Sequence, residues 1–343
     1  MTVRVGINGF GRIGRSFTRA LLARGEAAGV ELVAVNDPFG DAATMAFLLK
    51  HDSVGGILPN EVKETASGFS IDGQEVKKLE ERDPGEIPWA ANGVDVVIES
   101  TGLFTAREKA AGHLTGGAKR VVISAPSGDA DAMICMGVND EVYDPSAHTV
   151  ISNASCTTNC LAPMAKVLND KFGIEQGLIT TIHAYTTDQQ LQDQATATRS
   201  GKPDLRRMRA AALSIIPSST GAARAIGIVL PELKGKLDGT SLRIPTPVGS
   251  ITDLVANLGR EASIEEINAA FAEAAAAPST RGVLEYSDEP LVSADIVGNP
   301  SSCIYSAVDT MANGKLIKVL GLYDNEWGYS NRLLDLVGFI GAS

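Results

Sequence analysis

Among the four cysteines of the chain, Cys156 stands where a sulfur can react. It lies in the run Ser152-Asn153-Ala154-Ser155-Cys156-Thr157-Thr158-Asn159-Cys160. Before the run, Thr149-Val150-Ile151 reads as a strand end; after it, Leu161, Met164, Ala165, Leu168 and Phe172 recur at helical spacing. The spacing places Cys156 in a first helical turn, with Ser155 or Asn153 as the N-cap. Unpaired N–H groups and the positive end of the helix dipole favour a thiolate there, starting from the roughly 8.5 of a free cysteine. A small buried hydrophobe is the other use of a lone cysteine, but this neighbourhood is too polar for core filler.

A nucleophilic thiol needs a base, and the chain has four histidines. His51 precedes the turn Asp52-Ser53-Val54-Gly55-Gly56, His113 sits in a Gly-rich stretch and His148 in a turn, whereas His183 stands inside the β-type run from Gly177 to Thr186. Beside Cys156, His183 would stabilise the thiolate, take a proton and return it to a leaving group.

The elements that must position this pair begin at the N-terminus. The β-branched run Val3 to Asn8 ends in Gly9-Phe10-Gly11-Arg12-Ile13-Gly14, and helical period follows from Ser16 to Arg24. In that context Gly9 allows the tight turn, Gly11 lets a pyrophosphate approach the backbone, and Gly14 lets helix pack on strand. A second strand, Glu31 to Asn36, closes on Asp37, whose carboxylate can accept from the adenosine ribose and would repel a 2′-phosphate, so NAD is preferred to NADP. Further parallel strands are expected at Val94 to Glu99, Arg120 to Ser124 and Ala132 to Val138, with helices at Asp41 to Lys50 and Thr105 to Gly112. Ser100-Thr101-Gly102 and Ser124-Ala125-Pro126 then end strands on the ligand-binding edge. Pro59 to Pro88, more polar and Gly-rich, reads as a surface insertion.

After the Cys156 helix come β-type runs at Ser241 to Ile244, Ser250 to Leu258, Cys303 to Thr310 and Lys315 to Tyr323, with one clear helix, Ser263 to Ala277. The expected fold is therefore α/β plus α+β: a Rossmann-type doubly wound parallel sheet, then a second domain of mainly antiparallel sheet and helices. Residues 1–155 with 325–343 form the dinucleotide-binding domain, because Asn325 to Gly341 reads as a helix returning to it, and 156–324 form the catalytic domain. Asp188 to Asp204 is a long polar loop.

Composition narrows the function. The chain has 343 residues, 44% of them hydrophobic, enough for two real cores. Its 30 basic and 41 acidic residues give a net charge of -11, and no run of Lys or Arg exceeds a pair, which argues against nucleic-acid binding. Cysteines at 135, 156, 160 and 303 fit neither a disulfide framework nor a zinc pattern of paired CxxC units, and Cys156 and Cys160, four apart on one helix, read as free thiols. With no charged-then-apolar leader and no 18-residue apolar stretch, the expectation is a cytoplasmic protein off the membrane.

NAD and a cysteine together suit one reaction. A thiol adding to an aldehyde gives a thiohemiacetal whose carbon can surrender hydride, leaving a thioester whose acyl group passes to an acceptor. Anion sites decide the acceptor; the hydroxyls of Ser155 and Thr157, the turn Ser218-Ser219-Thr220-Gly221 and Arg243 qualify. Arg206, Arg207 and Arg209 form a further basic cluster, of which at least two are expected on a solvated face.

The strings Asn8 to Arg15, Ser152 to Cys160, Ser218 to Ala223 and Tyr323-Asp324-Asn325-Glu326-Trp327-Gly328-Tyr329-Ser330 together resemble phosphorylating glyceraldehyde-3-phosphate dehydrogenase over the full length. The resemblance implies oxidation of glyceraldehyde 3-phosphate with NAD and inorganic phosphate to 1,3-bisphosphoglycerate in a homotetramer. It makes Cys156 the nucleophile and His183 the base. It places Thr186, Asp188 and Arg243 around the substrate phosphate and Ser155, Thr157, Thr220 and Gly221 around inorganic phosphate. Asn325 orients the nicotinamide amide. Two stretches, Gln189 to Asp204 and Thr246-Pro247-Val248-Gly249-Ser250, depart from the usual pattern. The rivals are erythrose-4-phosphate dehydrogenase, semialdehyde dehydrogenases and, outside enzymes, an adhesion or binding protein with a vestigial cofactor site.

Overall fold

In a computed structural model, which describes residues 2–195 and 204–342, the chain divides into two compact units. The first comprises Met1–Ile134, Asp140–Ala154 and Ser330–Ser343, the second Cys135–Asn139 and Ser155–Tyr329. The part of the polar loop from 196 to 203 lies outside the described residues.

The first unit is built on a nine-stranded sheet. Its order runs Ala132–Met133, Val150–Ser152, Arg120–Ile123, Val96–Glu99, Val3–Asn8, Val30–Asn36, Gln74–Leu79, Gly68–Ile71, Val62–Thr65. The first seven are parallel, and the central ones are apolar nearly throughout because both faces are covered. The last two are antiparallel. They correct the reading of Pro59 to Pro88 as an insertion: this stretch supplies three strands and buries Phe69, Ile71 and Val76. Its inward residues alternate with exposed polar ones, so no continuous apolar run announces it.

The second unit carries a seven-stranded sheet in the order Ile216–Ser219, Leu237–Ile244, Ile174–Ala184, Ser250–Leu258, Leu316–Tyr323, Cys303–Asn313, Leu284–Ser287. Four of its six pairings are antiparallel; Leu237–Ile244 runs parallel to Ile174–Ala184, and Leu284–Ser287 to Cys303–Asn313. Ser250–Leu258 alternates between buried and partly exposed residues, as a strand covered on one face must. The helices Cys156–Phe172, Ala222–Val229 and Ile264–Ala276 pack together with that sheet. Ala222–Val229 is the helix that apolar periodicity did not single out, being only eight residues long.

The Cys156 helix buries Leu161, Met164, Ala165 and Leu168 completely. Gly321, on the strand Leu316–Tyr323, leaves room for three sulfurs beneath it. A Cβ there would lie 2.5 Å from Met164 Sδ, 2.8 Å from Cys303 Sγ and 3.0 Å from Cys160 Sγ. All four cysteines are free. Among the described residues no helix is long and apolar enough to cross a membrane.

Candidate active site

The reactive end of the Cys156 helix is made by a sharp change of backbone. Ala154 is fully buried with φ at 55°, a left-handed conformation that costs a residue with a Cβ about 1 kcal/mol or more. Ser155 follows in an extended conformation and caps the helix, its Oγ accepting from the Thr158 N–H at 3.0 Å, and Cys156 is the first helical residue. Of the two N-caps the sequence allowed, Ser155 is the one used.

His183 reaches the sulfur from the neighbouring strand Ile174–Ala184. Its Nε2 lies 3.3 Å from Cys156 Sγ. The ring is buried and its Nδ1 faces two groups, the Ala184 carbonyl at 2.7 Å and Arg243 Nη1 at 3.0 Å. With hydrogen on Nδ1, donated to Ala184, the Nε2 lone pair faces the thiol and can take its proton. Arg243 is there because of strand register: His183 and Arg243 are direct partners in the parallel pair.

Burial pushes the Cys156 thiol up to about 11, although the Arg243 guanidinium and the Thr157 N–H pull the other way. Burial, reinforced by Arg243, pushes the His183 imidazole down to about 3. Burial by the fold thus opposes the thiolate that the helix start alone favours. In the neutral pair a proton would move from sulfur to nitrogen as the sulfur attacks.

A cluster of guanidiniums and hydroxyls adjoins this pair within the second unit. Arg243 Nη1 donates to Thr186 Oγ1 at 3.1 Å, and Thr186 donates to Asp188. Burial works against the Asp188 charge, but the Thr186 hydroxyl and the guanidiniums of Arg207 and Arg243 outweigh it and hold the carboxyl below its ordinary value. Arg207 pairs with Asp188 and donates to Ser218 Oγ from Nε at 3.0 Å and Nη2 at 2.8 Å. Arg243 Nε is buried and has no partner among the described residues, a donor waiting for an anion. Gly221 begins the helix Ala222–Val229 with no side-chain cap and no acidic residue in the first turn, and Thr220 Oγ1 accepts from the Ala222 N–H at 3.2 Å. Among the described residues nothing lies within 4 Å of where a Gly221 Cβ would stand. The remaining two phosphate candidates are engaged internally. Ser155 holds the cap, and the buried Thr157 hydroxyl lies 2.9 Å from Tyr323 OH, which lies 2.9 Å from Thr181 Oγ1.

The nucleotide candidates gather in the first unit. Gly9 has φ at 91°, and a Cβ there would stand 2.7 Å from the Thr101 nitrogen; a Cβ on Gly14 would stand 2.7 Å from the Gly9 carbonyl oxygen. Gly11 is different: among the described residues nothing lies within 4 Å of its Cβ position. It begins the helix Arg12–Arg24 with no side-chain cap and no acid in the first turn. That open cradle at a helix N-terminus fits a dinucleotide's pyrophosphate. Asp37 is held by the Phe10 and Phe39 N–H groups, each at 2.9 Å, at the end of the second strand, where ribose hydroxyls would meet it. Arg12 pairs with Asp52, and Ile13 is half-buried beside it. Thr101 is fastened to Glu99, and the Ser124 N–H donates to the Glu99 carbonyl at 3.0 Å. Asn325 belongs to the second unit by contacts; its Oδ1 accepts from the Gly249 N–H at 3.1 Å and the Ser250 hydroxyl at 3.0 Å, which fixes the amide's orientation.

Three participants were not assigned a role from the sequence. Arg207 is the member of its basic cluster that turns inward, and nothing local distinguishes it from Arg206 and Arg209. Tyr323 lay in a recognised string but carried no role. Glu99 had a signal, an acid ending an otherwise apolar strand.

Known families and proteins match most of this chain. Residues 3–107 match the family model described as glyceraldehyde 3-phosphate dehydrogenase, NAD binding domain, and residues 155–325 match the C-terminal domain of the same family. The chain is 56% identical over 99% of both lengths to glyceraldehyde-3-phosphate dehydrogenase 2 of Streptomyces avermitilis. It is 56% identical over the full length of both chains to the glyceraldehyde-3-phosphate dehydrogenase of Mycobacterium leprae, and 57% identical to that of Mycolicibacterium smegmatis.

Proposed function

Because this chain belongs to the glyceraldehyde 3-phosphate dehydrogenase family, we propose that it oxidises glyceraldehyde 3-phosphate with NAD and inorganic phosphate to 1,3-bisphosphoglycerate. The observation that carries this reading is the 3.3 Å contact between Cys156 Sγ and His183 Nε2 beside a guanidinium with an unpartnered donor. Arg243, Thr186 and Asp188 hold the substrate phosphate, with Arg243 Nε donating to it. Cys156 Sγ adds to the aldehyde carbon while His183 Nε2 takes the thiol proton, and the Cys156 N–H steadies the oxyanion, worth ~10²-fold or more in rate. NAD, for which the Gly9 to Gly14 loop and Asp37 in the first unit and Asn325 in the second are the candidate residues, would supply the hydride acceptor. His183 passes the former thiol proton to solvent as the oxyanion collapses with loss of hydride, and a thioester remains on the sulfur. Inorganic phosphate, held at Thr220 and Gly221 with Ser155 and Thr157 nearby, attacks the thioester carbon and gives its proton to the neutral His183, which returns it to the departing Cys156 sulfur anion. The enzyme so read works in the cytoplasm as a homotetramer.

A steady-state assay with glyceraldehyde 3-phosphate, NAD and varied phosphate tests this. NADH formation should rise with phosphate and saturate; a rate indifferent to phosphate, or a preference for erythrose 4-phosphate, would overturn it. Asp37→Ala should narrow the preference for NAD over NADP by at least tenfold, and an unchanged ratio would place specificity elsewhere.

A further inference from the structure

A buried polar cluster outside the Cys156 site lies under the glycine loop of the first unit. Glu99 ends its strand with 1% of its surface exposed. Its Oε2 accepts from Asn8 Nδ2 at 2.6 Å and from His113 Nε2 at 2.9 Å; its Oε1 accepts from the Thr101 N–H at 2.9 Å and from the Thr101 hydroxyl. Four donors and no acceptor meet its two oxygens. Trp89 Nε1 donates to His113 Nδ1 at 3.1 Å, and an indole N–H can only donate. The hydrogen of His113 is thereby fixed on Nε2, facing Glu99. On the far side Asn8 Oδ1 accepts from Asn36 Nδ2 at 2.8 Å, and Asn36 grips the Glu81 backbone at both its carbonyl, 2.9 Å, and its N–H, 2.8 Å.

Asn8, Asn36 and Glu99 are the last residues of their strands. Asn8 and Asn36 stand immediately before Gly9 and Asp37, and Glu99 two places before Thr101. The loops these three strands feed are in contact, since Gly9 abuts the Ser100–Thr101 backbone so closely that it has no room for a Cβ. One carboxylate thus ties the roots of the Gly9 and Thr101 loops directly, and that of the Asp37 loop through Asn8 and Asn36. We propose that Glu99 is a positioning residue for NAD: acting through Thr101 and Asn8, it sets these loops against one another in the conformation the cofactor needs. This rests on the NAD reading above.

The chemistry makes a specific demand on substitutions. Glu99→Gln keeps the shape, but whichever way its amide turns, an NH₂ group meets a fixed donor: Asn8 and His113 on one side, the Thr101 N–H on the other, where only the hydroxyl can turn to accept. His113 cannot adapt, because Trp89 fixes its tautomer. One side of the cluster must open, and the loops lose their common anchor. His113→Gln, by contrast, can still donate to Glu99 and accept from Trp89, while His113→Leu can do neither.

Calorimetric titration of the whole protein with NAD decides the matter, alongside thermal melting and steady-state kinetics. Glu99→Gln should bind NAD about tenfold or more weakly, a loss of the size expected when a buried donor goes unpaired, and raise the KM for NAD with kcat held within about twofold. Its Cys156 alkylation rate without NAD should be unchanged. His113→Gln should bind NAD within about threefold of the parent, and His113→Leu about tenfold more weakly. A cooperatively melting Glu99→Gln that binds NAD as the parent does would overturn the proposal. If that variant does not fold, equal NAD affinity of His113→Leu and His113→Gln would overturn it. Failure of the parent itself to bind NAD would instead overturn the reading beneath it.

Discussion

Two helices of this chain leave strands of one parallel sheet, and they finish their N-termini in opposite ways. The helix Arg12–Arg24 starts from Gly11 with no side chain on its free N–H groups, no acid in its first turn and open space where a Cβ would be. The helix Cys156–Phe172 starts from Ser155, whose hydroxyl already occupies one of those groups, and spends its first position on a sulfur. An open terminus invites a ligand's charge. A capped one stiffens a side chain that must create charge only during reaction. The first arrangement acts on affinity, the second on rate, and substitutions should separate them.

The largest effect is expected at the capped helix. Cys156→Ser should lower NADH formation about 10³-fold or more while leaving calorimetric NAD binding unchanged, since a hydroxyl is a far poorer nucleophile than a sulfur. Survival of a tenth of the activity would break the assignment. Next comes the open terminus. Gly11 has φ at -77°, which any residue adopts, so Gly11→Val should fold and melt like the parent yet bind NAD about 10²-fold more weakly. Near-normal affinity would mean that no pyrophosphate sits there.

Arg243→Leu sharpens the contrast through pH. The guanidinium pulls the thiol down and the imidazole down, so its loss should raise both. Because the thiol already lies near 11, alkylation of the ligand-free protein should climb with pH through the alkaline range, and the variant's profile should lie further to the alkaline side. A shift towards acid would contradict the arrangement of charges at the site. The smallest effect belongs to the cap: Ser155→Ala should cost about 1 kcal/mol in a denaturant titration, and a cost near zero would show that Thr158 finds another partner.

The two helix starts also differ in how far the sequence revealed them. The three glycines, the strand before them and the acid at Asp37 are neighbours in sequence, and local sterics dictates what each does. The Cys156 helix and its first-turn sulfur were equally legible. The upward push on the thiol was not, because the burial behind it is supplied by the fold around it, while the helix dipole visible in the sequence pulls the other way. Arg243 met His183 through a strand register set by the whole second sheet. Arg207 was indistinguishable from its neighbours until Asp188 and Ser218 closed on it. Contacts made across many residues of chain leave no periodic trace, and polar partners leave less than apolar ones.

The missing side chain at Gly321 couples positions that no reaction scheme would connect. Met164, Cys160 and Cys303 jointly occupy the volume it vacates, so what the fold conserves at that spot is a filled space rather than any one residue type. Adding a methyl there alone would lift the scaffold on which the nucleophile rides, whereas trimming position 303 at the same time would restore the fit. Related sequences should therefore exchange bulk between these two places in step, with catalysis indifferent to which of them carries it.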